Sequence, residues 1–237
     1  MYKAPLWDEN GNLIGTVGTA RDVTKEKYLE KLKEEKEKEL KKSHERIRRA
    51  FNDIITILGR IVETKDPYTA GHQRRVAKIA TEIAKEMKLN KKKIEVIRVA
   101  SLVHDIGKIV IPNEILHKPG NLLRIEWEFI KMHPKVGYDL LKNIEFLHFV
   151  AQIVLEHHEN IDGSGYPEGL KGDEILLEAR IIRVADTLEA MTSNRPYRPA
   201  FSIDKALEEI KKNKGILYDP KVVEACIRLF KKGFRFE

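Results

Sequence analysis

Val103-His104-Asp105-Ile106-Gly107-Lys108 decides how the rest of this chain is read. A histidine and an aspartate stand side by side in a stretch otherwise built from Ile94, Val96, Ile97, Val99, Ala100, Leu102, Val103 and Ile106. If helical, that stretch is apolar nearly all round and runs through the middle of a domain. An imidazole and a carboxylate are costly there unless something offsets their desolvation, and a metal ion is the usual compensation. Lys108 lies one turn beyond His104 on the same face. Pro112 follows, so the helix over 91–108 is expected to end at about Lys108, with this polar group at its mouth.

The chain has 237 residues, enough for one sizeable domain and an appendage. No apolar run reaches membrane-spanning length, and no basic start followed by an apolar stretch marks a secretion signal. Cys226 is the only cysteine, which excludes a disulfide framework and a cysteine metal cluster and points to a reducing, cytoplasmic compartment. The net charge of +7 favours an anionic ligand such as a nucleotide, although a Lys- and Glu-rich composition also serves as a solvated surface.

Upstream, residues 1–24 read as strand, turn, strand. Asp8-Glu9-Asn10-Gly11 is a tight-turn signal, and β-branched and small residues dominate from Leu13 to Val23. A lone hairpin is marginal in water, so this piece is expected to be the tail of something larger. It resembles the last two strands of a PAS sensor domain, whose final strand often ends in Asp-Val-Thr, here Asp22-Val23-Thr24. That resemblance implies an upstream sensor in a longer signalling protein.

Over 25–50, Glu and Lys interleave at helical spacing, as in a solvated linker helix. Leu40, His44, Ile47, Phe51, Ile54, Leu58 and Ile61 alternate four and three apart, a heptad seam that predicts a coiled-coil homodimer. The competing reading is a single helix whose C-terminal half packs on the main domain. Leu29 and Leu32 do not keep the register.

From residue 51 to 237 the pattern is helical throughout, with helices expected at 91–108, 124–132, 134–142, 146–158, 174–191, 203–213 and 220–232, and one before them carrying Val76, Ile79, Ala80, Ile83 and Met87. A glycine-rich loop, Asp162-Gly163-Ser164-Gly165-Tyr166-Pro167, interrupts them. The main domain is therefore all-α.

Polar residues recur at the inward faces or ends of these helices: His72, His104, Asp105, His133, His157, His158 and Asp186. A single one is readily a hydrogen-bonded core residue. Together they would leave one domain many buried donors and acceptors to satisfy separately. Nitrogen and carboxylate donors suit iron, manganese or zinc. The set is too large for one tetrahedral ion and fits two, with an aspartate bridging and a hydroxide between them as nucleophile toward a phosphate.

The region from residue 51 onward resembles the HD-GYP family of cyclic di-GMP phosphodiesterases, within the HD phosphohydrolases. The matching pieces are Thr69-Ala70-Gly71-His72, His104-Asp105-Ile106-Gly107-Lys108, Ile111-Pro112, Lys118-Pro119-Gly120, His133-Pro134 with Gly137, His157-His158-Glu159, Asp162 to Pro167, Ala185-Asp186 and Thr192 to Arg198. The resemblance implies an HD-domain helical bundle that opens cyclic di-GMP to linear pGpG, and on to GMP in some members. It implies metal ligation by His72, His104, Asp105, His133, His157, His158 and Asp186, two iron or manganese ions (zinc as a further option) and Asp105 as bridge. Lys108 would act on the scissile phosphate, Arg195 and Arg198 would hold phosphates, and Gly165, Tyr166 and Tyr197 would line the substrate.

One departure matters. Tyr68 stands where some members carry a glutamate that helps hold a third metal, so two ions are expected and the second hydrolysis is in doubt. Gln73 replaces a frequent serine without an assigned consequence, and His44, His117 and His148 match no ligand position. Two rivals remain open: an HD phosphohydrolase of another cyclic nucleotide, and a cyclic di-GMP receptor without turnover.

Overall fold

The computed structural model describes residues 2–19, 21–66, 70–118, 120–194 and 199–236. It divides into two units, Met1–Asn52 and Asp53–Glu237. In the first, strands β1 (Tyr2–Trp7) and β2 (Leu13–Thr19) pair antiparallel from Tyr2↔Thr19 to Trp7↔Leu13. Asp8 closes the turn by accepting from the amides of Asn10 and Asn12 at 2.9 and 2.7 Å. Every β1 side chain is exposed.

Helix α1 (Thr24–Lys65) is continuous for 42 residues and carries charge pairs such as Lys36–Glu39 at 2.9 Å. Its buried residues are Ile55, Gly59 and Val62, one stripe in the last three turns. Of the expected heptad seam, Leu40, Ile47, Ile54 and Ile61 are exposed. The C-terminal part of α1 thus packs on the domain through a face beside the seam.

The core of the second unit is helical, as expected. Its helices are α2 (His72–Glu86), α3 (Lys91–Val103), α4 (Asn113–Leu116), α5 (Arg124–Lys131), α6 (His133–Leu141), α7 (His148–Glu156), α8 (Leu177–Thr192), α9 (Ile203–Lys212) and α10 (Pro220–Lys231). Helix α2 packs on α3, α8 and α10, and α6 on α7. Ile79, Ile83, Ile97, Ile153, Ile181, Ile182 and Leu188 at these contacts are fully buried. Burying such a side chain is worth about 1.5–3 kcal/mol, which is what holds otherwise short helices in place. Caps fix the ends: Asn90 accepts from the Lys93 amide at 2.9 Å, and Asp219 from the Lys221 amide at 2.7 Å.

The central helix ends earlier than expected. α3 stops at Val103, His104 caps it, and Ile106–Val110 tighten into a 3-10 turn. Proximity to α6 is the cause. A Cβ on Gly107 would lie 2.0 Å from the His133 carbonyl oxygen and 2.7 Å from the Gly137 amide nitrogen. Only a glycine lets the chain after Asp105 press against the start of α6. That contact brings His133 to His104 and Asp105.

Candidate metal centre

Five helices deliver the seven expected ligands to one place. His72 opens α2, and His104 caps α3 with Asp105 following. His133 opens α6, His157 caps α7 with His158 following, and Asp186 lies within α8. His72, His104, Asp105, His133 and His157 are each at most 2% exposed. Two clusters, His72–His104–Asp186 and His133–His157–His158, each have their donor atoms within 4.8 Å of one another, and a third such group, His104–Asp105–His157, joins them.

Asp105 stands between them. Its Oδ2 lies 3.8 Å from His72 Nε2 and 3.6 Å from His104 Nε2, while Oδ1 lies 3.4 Å from His133 Nε2. In the first cluster His72 Nε2 is 3.3 Å from Asp186 Oδ1, and in the second His133 Nε2 is 3.2 Å from His157 Nε2. Lys108 Nζ donates to Asp105 Oδ2 at 2.7 Å, and Gln73 Nε2 donates to the same oxygen at 3.3 Å.

Tautomers follow from the partners. The Nδ1 atoms of His104, His133 and His157 each face a backbone carbonyl three residues earlier, of Ser101, Ile130 and Val154, at 2.8, 2.7 and 2.6 Å. A carbonyl only accepts, so Nδ1 carries the proton and Nε2 presents a lone pair to the cluster. His72 differs: its Nδ1 donates to the Glu189 carboxylate.

Electrostatics agree with a cation site. Burial, reinforced by neighbouring imidazoles, holds His157 and His158 well below the ordinary histidine pKa. Burial likewise brings His133 down to about 4, against the pull of Asp105. These rings are neutral near pH 7. Burial also acts to lower His72, but Asp186 and Glu189 outweigh it and raise the ring to about 9. Burial opposes the charge on Asp105, yet Lys108, His104 and His133 keep its carboxyl well below the usual range. Asp186 is held down in the same way by His72, against burial. Neutral imidazoles at His133, His157 and His158, with the ionised carboxylates of Asp105 and Asp186, form a donor set that fits divalent transition metals, and His72 joins it on giving up its second proton.

The glycine-rich loop forms one wall. Tyr166 stacks on His158, with centroids 4.8 Å apart and planes at 28°. Buried Glu159 organises the loop by accepting from the amides of Glu168, Gly169 and Leu170 at 2.7, 3.1 and 3.1 Å. Gly165 turns back so tightly that a Cβ would lie 2.4 Å from the Glu159 Cα. Arg195, Tyr197 and Arg198, expected at the substrate, and Tyr68, expected to exclude a third ion, lie outside the described residues. His117 and His148 are accounted for elsewhere, facing the backbone carbonyls of Lys65 and Lys142.

Residues 56–222 match the family model of the HD domain. The chain belongs to the HD-domain family. Its paired histidines and Gly165-Tyr166-Pro167 loop make it HD-GYP-like. It is 40% identical over 178 residues to the cyclic di-GMP phosphodiesterase response regulator RpfG of Xanthomonas campestris, covering 74% of this chain and 47% of that protein. To the 3'3'-cGAMP-specific phosphodiesterase 3 of Vibrio cholerae it is 41% identical over 180 residues, 76% of this chain and 38% of the relative. The chain therefore spans less than half the length of either. Among solved structures, Bd1817, an HDG"Y"P protein from Bdellovibrio bacteriovorus, shares the fold with a TM-score of 0.57 at 18% identity, over 68% of this chain and 51% of that one. No described helix is long and apolar enough to cross a membrane.

Glu189 and Arg75 were missed in the sequence, and Gln73 was noted there without a role. Glu189 follows Asp186 by three positions, so both carboxylates share one face of α8. That spacing was the available signal. Gln73 and Arg75 gave none, because the apolar periodicity of α2 does not distinguish a glutamine or arginine turned inward from one turned to solvent.

Proposed function

We propose that the chain is a metal-dependent phosphodiesterase that opens cyclic di-GMP to linear pGpG. The observation that carries this reading is Asp105, whose Oδ2 faces His104 and Oδ1 faces His133, in adjoining clusters, while Lys108 donates to Oδ2. Three groups would hold one ion, His72, His104 and Asp186, and another three the second, His133, His157 and His158, with Asp105 shared. Divalent ions bound there would supply Lewis acidity toward a phosphate and lower the pKa of a water. Lys108 is charged at neutral pH: burial works against its ammonium, and Asp105 overrides that and raises its pKa. It stands beside the shared carboxylate, where it meets charge building on a phosphate oxygen. Arg195 and Arg198 would hold the phosphates as guanidinium forks, and Tyr166, Gly165 and Tyr197 would contact the nucleotide, roles that rest on the sequence resemblance. In the sequence Tyr68 stands where some HD-GYP members carry a glutamate that helps hold a third ion, so the proposal is a two-ion centre that releases pGpG, with onward hydrolysis to GMP read from the product assay.

The Vibrio cholerae relative keeps a second reading open, in which the substrate is 3'3'-cGAMP. A receptor without turnover has less support, because binding alone requires neither cation cluster nor Lys108. Self-association through the exposed seam of α1 is part of the proposal. The test is anaerobic purification, metal analysis, and chromatography of products from both dinucleotides, with Asp105→Asn as control. Two ions per chain and faster conversion of cyclic di-GMP to pGpG are expected. Faster conversion of 3'3'-cGAMP would transfer the assignment to the mixed dinucleotide, and two ions with neither converted would sink it.

A further inference from the structure

The two clusters differ in what stands behind their imidazoles. His104, His133 and His157 lean on backbone carbonyls, which are neutral dipoles. Only His72, of these four, leans on a carboxylate. Glu189 is fully buried, and its Oε2 accepts from His72 Nδ1. Its Oε1 accepts from Arg75 Nε and from Ser193 Oγ, both at 2.7 Å. With three donors on two oxygens it has little freedom to turn, and Arg75 is itself anchored to the Ala70 carbonyl at 3.1 Å. A negative charge fixed on the far side of an imidazole makes the near nitrogen a stronger donor to a cation and fixes the plane of the ring.

We propose that Glu189, clamped by Arg75 and Ser193, is a positioning residue that makes the His72–His104–Asp186 cluster the tighter of two unequal cation sites. This rests on the two-ion reading of the centre. The His133–His157–His158 cluster has a backbone carbonyl behind His133 and His157 and the Tyr166 ring against His158, so its ion is held less strongly and exchanges first. The sites fill in a fixed order as the cation concentration rises.

Calorimetric titration of the EDTA-stripped full chain with Mn²⁺ tests this. Wild type should bind in two steps of different affinity. Glu189→Gln, similar in volume and still able to accept from His72, should weaken the tighter step by about 10–100-fold and leave the weaker step in place. In a His72→Ala background the same substitution should add nothing, since its route to the cation is gone. If Glu189→Gln fails to fold, as read from thermal melting of the stripped protein, Arg75→Ala should weaken the same step by a smaller factor. Equal weakening of both steps, no change in either, or additivity with His72→Ala would overturn the role of Glu189. A wild type that takes up no Mn²⁺ would overturn the two-ion reading beneath it.

Discussion

Residues 2–52 and residues 53–236 are both rich in regular structure, yet different forces hold them. In the first part the described side chains are almost all exposed, and the local devices are visible: the Asp8 turn, the β1–β2 ladder and charge pairs a turn apart along α1. Such pairs add only about 0.3–0.5 kcal/mol each. In the second part buried isoleucines, leucines and valines bring distant helices together, and that packing carries the free energy needed to bury four imidazoles and Asp105. A long helix can form from spacing and propensity alone. A polar centre cannot, because its members come from five helices.

The sharpest way to break the comparison is at Asp105. Asp105→Asn removes the charge shared by the two clusters, and turnover of the preferred dinucleotide should fall to background while wild-type metal content is lost. An active, metal-replete Asp105→Asn would mean that the clusters work separately. Lys108→Met should keep the ions yet lower kcat by about 10²–10³-fold with little change in KM, the pattern of an interaction made in the transition state. A rise in KM alone would instead place Lys108 in ground-state binding.

Legibility in the sequence follows the same division. The helices of the second unit and all seven clustered donors were readable, because apolar periodicity shows which face is buried and a polar residue interrupting that face stands out. The end of α3 was not readable. It depends on Gly107 meeting the His133 carbonyl, 26 positions away in the chain, and no local pattern encodes that approach. The stripe by which α1 packs on its domain was not readable for a related reason: Ile55, Gly59 and Val62 include a glycine, which a search for apolar side chains passes over. Glu189 reads as an ordinary helix-favouring glutamate until its buried partners are seen.

Two isoleucine truncations sharpen the contrast in stability. Ile182→Ala, in the fully buried part of α8, should cost about 2–5 kcal/mol through lost burial and the cavity left behind. Cys226 offers a readout. Its thiol is buried, and burial pushes its pKa up to about 12, so alkylation at neutral pH waits for the chain to open. Ile182→Ala should therefore speed labelling of Cys226, and equal labelling of mutant and wild type would show that α8 is less central than its burial indicates.

Ile47→Ala is the smallest change and the most informative about the first part of the chain. Ile47 is 64% exposed in the single chain, so its truncation should shift stability by no more than about 0.5 kcal/mol if the chain is monomeric. If the seam of Leu40, Ile47, Ile54 and Ile61 joins two copies, the same side chain is buried in the pair, and light scattering should show the wild type as a dimer that Ile47→Ala weakens. The seam lies beside the packed stripe of Ile55, Gly59 and Val62, so α1 can present one face to its own domain and the adjacent one to a second copy. Unchanged mass, at half the value of a dimer in both proteins, would leave α1 as a solvated helix and confine the chain's cooperative packing to residues 53–236.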